Sequence, residues 1–157
     1  MRGGLTRPAR WPDQILDHLH RARDARDDPG DSALTSALES GDWRDIRPEL
    51  SAEPYVFAAG EPPPGVTAFA VIREDEGVTL VLTRADADRA GLDYAYVAAR
   101  ITLRVGSTLT DVGLTALFSR TLADAGISCN VIAGLAHDHV FVGWDQGPRA
   151  LALLGAL

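Results

Sequence analysis

From residue 94 to the C-terminus the apolar residues switch between a period of two and a period near 3.6. That alternation constrains the fold more than any other feature of the chain. Residues 94–105 read as a long strand, with Tyr96, Ala98 and Arg100 on one parity and Ile101, Leu103 and Val105 on the other. Ser107, Thr108 and Asp111 supply capping side chains and an acid for the first turn of a helix. Val112, Ala116, Ser119 and Ala123, with Leu114, Leu117, Phe118 and Leu122 beside them, make that helix amphipathic as far as Ala125, and Gly126 stops it. The expected helix therefore spans 109–125. Strands follow at 127–132 and 139–142, joined by Ala133-Gly134-Leu135-Ala136. Pro148 opens a closing helix over 147–156, where Ala150, Leu151, Leu154 and Leu157 share a face.

The preceding segment carries a related order. Tyr55-Val56-Phe57-Ala58-Ala59 is apolar, and Glu61-Pro62-Pro63-Pro64-Gly65 is a loop because proline donates nothing to a ladder. Strands at 66–73 and 78–83 flank the acidic turn Glu74-Asp75-Glu76-Gly77, and a short helix at 85–90 ends at Gly91. From Arg100 the order strand, helix, strand, strand, helix is the ferredoxin-like βαββαβ arrangement without its last strand, and the preceding segment reads as a related unit whose first helix is replaced by the Pro-rich loop. The fold class expected is α+β, with two such units side by side, antiparallel sheets and helices on one face. The strand 55–59 is the expected donor of the missing last strand.

Residues 1–45 follow another pattern. Trp11-Pro12-Asp13 reads as a helix start ahead of Ile15, Leu16 and Leu19. Asp28-Pro29-Gly30-Asp31 is a turn, and a second short helix carries Leu34 and Leu38 before Gly41. The organisation expected is a helical arm at 1–45, a first unit at 46–99 and a second at 100–157.

Charge and composition remove several functions. The 157 residues carry 15 basic and 22 acidic side chains, a net charge of −7. The arginines are interleaved with acids, as in Arg21-Ala22-Arg23-Asp24-Ala25-Arg26-Asp27-Asp28, so nucleic acid is not the expected partner. No lysine occurs, which removes Schiff-base chemistry. Cys129 is the only cysteine and forms neither an intrachain disulfide nor a thiolate zinc site by itself. No apolar run reaches the roughly 18 residues of a membrane span. Met1-Arg2-Gly3-Gly4 lacks a secretory apolar stretch, so the expected location is the cytoplasm.

Two constellations carry chemistry. Asp111-Val112-Gly113-Leu114 lies at a strand-to-helix turn, where free N–H groups and the positive end of the helix dipole suit a carboxylate. Gly113 leaves room for a ligand at the backbone and Asp111 is placed to meet an ammonium. Capping by Ser107, Thr108 and Asp111, with a packing role for Gly113, explains the same residues without a ligand. His137-Asp138-His139 places two histidines on one face of a strand, but a third metal ligand is hard to find, because His18 and His20 lie in the arm. These residues read as hairpin-end hydrogen bonding or as polar groups lining a pocket. Cys129 is read as a small hydrophobe rather than a nucleophile, and Asn130 as either a sheet-edge or a ligand contact.

Four segments resemble the ACT domain family, specifically its small tandem members, and are similar to the domains of cytosolic arginine sensors. They are Arg100-Ile101-Thr102-Leu103-Arg104-Val105, Asp111-Val112-Gly113-Leu114, Ala125-Gly126-Ile127-Ser128-Cys129-Asn130-Val131 and His137-Asp138-His139-Val140-Phe141-Val142. The likeness is strongest over 100–145, recognisable over 48–83 and absent over 1–45. Gly106 stands where the family leads one to expect a histidine. The resemblance implies a regulatory domain that binds a small molecule, usually an amino acid, without turning it over, and it favours the ligand role of the Asp111–Leu114 turn. The candidate ligand-binding residues are Ser107, Thr108, Asp111, Val112, Gly113, Leu114, Asn130, His137, Asp138 and His139. No catalytic residue, metal or cofactor is expected, and the partners are a small molecule and either a second copy or another protein. Two rival readings remain: an enzyme using His137, Asp138 or His139 as acid and base, and an assembly module that docks through the arm.

Overall fold

The computed structural model describes residues 46–105 and 112–157, all within the second of two units, residues 38–157. The expected arm, with its helices before Gly41, lies outside the described residues, as do Ser107, Thr108 and Asp111. Six strands form one antiparallel sheet: β1 (Arg47–Ala59), β2 (Ala70–Glu74), β3 (Gly77–Thr83), β4 (Val97–Arg104), β5 (Cys129–Ala133) and β6 (Asp138–Gly143). Their order across the sheet is β2-β3-β1-β4-β6-β5, and every pairing is antiparallel. The helices are α1 (Arg84–Ala90), α2 (Leu114–Asp124) and α3 (Gly147–Leu154), and a 3-10 turn, Trp144–Gln146, leads into α3.

Strand alternation divides the core. Ile101 and Leu103 on β4 and Val140 and Val142 on β6 meet Leu114, Phe118 and Leu122 of α2 and Ala150 and Leu154 of α3. Val56, Ala58, Leu80 and Leu82 continue that face under α1, closed by Ala87, with Val66 and Ala68 packed against them. All three helices thus cover one face. The other face carries Tyr55, Val81, Ala98 and Phe141, with Phe57 and Phe69 packed against them.

β1 is the long element. Its outer end pairs with β3 (Tyr55↔Thr83 to Ala59↔Thr79), while Arg47↔Arg104 to Leu50↔Ile101 run along β4. Leu50 faces Ile101 and Pro54 faces Ala99, so β1 carries two extra residues at an irregularity between them. Because two is the side-chain period, Leu50 and Val56 still face the helices. The strand completing the β4–α2–β5–β6–α3 run is therefore Arg47–Leu50 and not 55–59, which belongs chiefly to β3.

Several expected boundaries move. β2 begins at Ala70 rather than Val66, because a turn closed by Val66 N–H donating to the Pro63 carbonyl (3.1 Å) keeps Val66 and Ala68 in the loop beneath α1. β4 starts at Val97 rather than Tyr94, whose hydroxyl is held by Arg84 and Asp88. Helix α2 starts after Gly113, whose φ of +112° breaks helical geometry. The closing helix stops at Leu154. Helix α1 matches its local signals: Thr83 Oγ accepts from the Asp86 N–H, and Gly91 closes it in the left-handed conformation.

Candidate functional site

The β4–α2 turn is described from Val112 onward. Val112 is 73% exposed, whereas Leu114 is buried in the core. Gly113 has no side chain to cap α2, and its carbonyl accepts the first helical bond, from Leu117 N–H at 2.8 Å. The amide groups of the first turn ahead of Leu117 thus have no intrahelical partner. The positive φ gives Gly113 a backbone reason to be glycine that is independent of any ligand.

The histidines occupy the aromatic face. Thr102 stands opposite His139 in the register, and Thr102 Oγ1 lies 3.1 Å from His139 Nδ1. The His139 ring meets Phe69 edge to face at 4.8 Å between centroids. The Arg100 guanidinium stacks on both Tyr55 and Phe69, 4.6 and 4.7 Å from their centroids. Burial, then the positive charge of Arg100 and then His137, hold His139 below its ordinary pKa of 6.5. His137 Nε2 lies 3.4 Å from Arg104 Nη1, and Arg104 Nε pairs with Glu49 Oε2 at 2.6 Å. His137 Nδ1 and Arg100 Nε are buried without a hydrogen-bond partner among the described residues.

Asp138 has the parity of Val140 and Val142 and so belongs to the helix-covered face, and burial raises its pKa above the ordinary carboxylate value. The sequence triplet is therefore split across the sheet, with His137 and His139 on one side and Asp138 on the other. Among the described residues no group of three or more His, Cys, Asp and Glu side chains converges to hold a metal. Cys129 packs against the helix-side core.

Asn130 lines a cleft of about 360 Å³ at the other end of the sheet from the β4–α2 turn. The cleft forms where β4 begins, β6 ends and α2 returns to β5. Tyr96, Ser128, Gln146 and Arg149 face it beside Asn130, and Gly126 and Gly143 expose bare backbone there. Burial, then the charges of Asp145 and Cys129, raise the Tyr96 phenol above its ordinary pKa. Sequence reasoning found only Asn130 of these. One signal was available: Arg149 lies in the first turn of a helix, where a cation opposes the dipole.

The ACT domain family model matches residues 43–99, the segment in which the sequence resemblance was the weaker. The crystal structure of a Vibrio cholerae protein of unknown function, described as a possible transport protein, is 40% identical; the likeness covers 78% of this chain and 94% of that one, with a TM-score of 0.67. An Agrobacterium tumefaciens protein is 18% identical over 71% of this chain and 87% of its own, with a TM-score of 0.57. The regulatory subunit of aspartate kinase from Thermus thermophilus, in a ligand-free form, is 10% identical over 69% and 94%, with a TM-score of 0.56. The last two share the fold. No curated protein matches the chain in sequence. Among the described residues no helix is long and apolar enough to cross a membrane.

Proposed function

The chain belongs to the same family as the Vibrio cholerae protein and is matched by the ACT domain model over 43–99; from that premise we propose that it is a regulatory protein that binds a small molecule, an amino acid, and does not turn it over. The observation that supports this most is the strand order. We read the sheet as two ferredoxin-like units that share β1 and β4. The first runs from the outer half of β1 through the 60–69 loop, β2, β3 and α1 to β4; the second runs from β4 through α2, β5, β6 and α3 back to Arg47–Leu50. The proposed division at 99/100 falls inside β4, which serves both.

The ligand site in this reading is the start of α2. The unpaired amide groups after Gly113 receive the carboxylate, and Asp111 meets the ammonium. Binding there shifts an equilibrium of assembly, with a second copy or with another protein, by the difference in affinity between the two states. The enzyme reading gains nothing from the geometry, because Asp138 is separated from the two histidines by the sheet.

A thermal-shift screen against the amino acids and their deaminated analogues tests the proposal. A ligand at 100 times its dissociation constant adds about 2.7 kcal/mol, a readily measured rise in melting temperature. Asp111→Asn is expected to weaken the amino acid more than its deaminated analogue. Sedimentation velocity with and without the ligand reads the assembly step. Absence of a shift with any amino acid removes the reading. Gly113→Val is not a clean test, since a β-branched residue at φ +112° is strained whether or not a ligand binds.

A further inference from the structure

The cleft at the opposite end of the sheet has a lining that the reading of the α2 turn does not use. Five polar side chains from separate parts of the fold converge on it. Tyr96 precedes β4, Ser128 and Asn130 come from the start of β5, Gln146 ends the 3-10 turn, and Arg149 lies in the first turn of α3. None of the five side chains makes a hydrogen bond or ion pair with a described residue. Arg149 is the only charged side chain in the lining. Elsewhere the described arginines are engaged: Arg73 with Glu61, Arg84 with Asp88, Arg89 with Asp86 and Arg104 with Glu49.

Placement adds to this. A guanidinium in the first turn of a helix works against the dipole, and no acid in that turn compensates it. An anion seated in the cleft would relieve that opposition and pair with Arg149. Gly147 fixes the position of the turn that carries Gln146 and Arg149. A Cβ there would come within 2.8 Å of Ala99 Cβ, so the helix start lies directly on β4. The volume, about 360 Å³, falls in the lower part of the range of small-molecule sites, roughly 300–1,000 Å³.

The geometry points to a second binding site, in which Arg149 anchors the carboxylate of a small 2-oxo or 2-hydroxy acid while Asn130, Gln146, Ser128 and Tyr96 hydrogen-bond its remaining oxygens. A planar guanidinium receives a carboxylate through two parallel hydrogen bonds. No carboxylate is among the lining side chains; Asp145 borders the cleft, beside Gly143 and within reach of Tyr96, but does not line it, so an α-amino group is not required. This inference stands apart from the reading of the α2 turn.

The test is an NMR titration of the full-length 15N-labelled chain with 2-oxobutyrate and 2-hydroxybutyrate, with 2-aminobutyrate and sulfate as comparators at matched ionic strength. Saturable shifts are expected in the side-chain amides of Asn130 and Gln146 and at Arg149 Nε. The two acids should bind at least as tightly as 2-aminobutyrate. Arg149→Gln should weaken them roughly tenfold or more, the loss of one charge-assisted pair, with a ligand-free melting temperature that does not fall, since Arg149 is exposed and its charge opposes the helix dipole. An Asn130→Ala chain should show a smaller loss. No saturable shift at these groups overturns the proposal. So does a Kd unaffected by Arg149→Gln, equal shifts with sulfate, or tighter binding of 2-aminobutyrate. Shifts confined to Val112–Leu114 would report the α2 turn instead and count against this site without touching the other.

Discussion

Gly147 allows a sharp test of how the start of α3 is held. Its backbone is ordinary right-handed helix, φ −49° and ψ −55°, so no conformational strain accompanies a side chain there. Space is the constraint. An added Cβ would sit 2.8 Å from Ala99 Cβ and 3.4 Å from Leu50 Cδ1. Leu50 can turn aside, but Ala99 Cβ is fixed to a central strand. Overpacking of this kind costs about 1–3 kcal/mol, offset by the roughly 0.5–1 kcal/mol that alanine gains over glycine in a helix. Gly147→Ala should therefore lower stability by about 1 kcal/mol, and by no more than about 2.5 kcal/mol, which corresponds to a few degrees in melting temperature at this chain length. Ala99→Gly relieves the clash while losing a buried methyl, worth about 0.8 kcal/mol. In a double-mutant cycle followed by urea denaturation, the double variant should be more stable than the sum of the singles by about 1 kcal/mol. A neutral or stabilising Gly147→Ala, or strict additivity, would refute the contact as the origin of the effect.

Three further outcomes follow from the same coordinates. The folded state lowers the His139 pKa below its ordinary value, so the unfolded chain takes up the proton first; this contribution to stability is full above pH 6.5 and falls as the pH drops below it, and His139→Gln should flatten that slope of the urea midpoint. The raised Asp138 pKa has the opposite consequence: its relative stability is full below about 3.8 and lost as the pH rises. Asp138→Asn should accordingly stabilise the protein at neutral pH, with the gain vanishing in acid. Thr83→Ala removes the α1 cap, in which Thr83 Oγ1 accepts from the Asp86 N–H and donates to Asp86 Oδ2 at 2.8 Å, and should cost about 1 kcal/mol by thermal melting.

Local signals read well wherever the chain itself supplies them. The acidic hairpin turn, the Gly91 stop and the strand–helix–strand–strand–helix run that begins with β4 all appear in the order the local signals give, with boundaries in the run shifted by a few residues. The beginning of β1 was hidden by Pro48 and Pro54, which argue against a strand. The structure tolerates them because the Arg47–Leu50 stretch pairs, among the described strands, only with β4, and because Pro54 sits at the irregularity. The sites were less legible for a different reason. Tyr96, Gln146 and Arg149 meet only because the sheet order sets the start of β4 beside the end of β6, a fact about register that no local pattern carries. The histidine triplet follows the strand rule: His137 and His139, two residues apart, share a face as their spacing implies, and Asp138 between them takes the opposite one.

The two sides of β1 explain why events at separate ends of this sheet need not be independent. Leu50 seals the core beneath α3, while Val56 and Ala58 seal the core beneath α1, and the two stretches are parts of one strand. Neither core can open without disturbing the ladder that the other depends on, since β4 pairs with both stretches of β1. The irregularity between Leu50 and Pro54 separates the two stretches, and its two-residue excess preserves which side chains face the helices. The start of α3 lies against Ala99 of β4, and β4 in turn pairs with the stretch of β1 that also pairs with β3, so any shift of that helix start would have to be absorbed by this one ladder. A physical carrier for coupling needs continuity of this kind, and the shared strand together with the close approach of Gly147 to the Ala99 side chain supplies it.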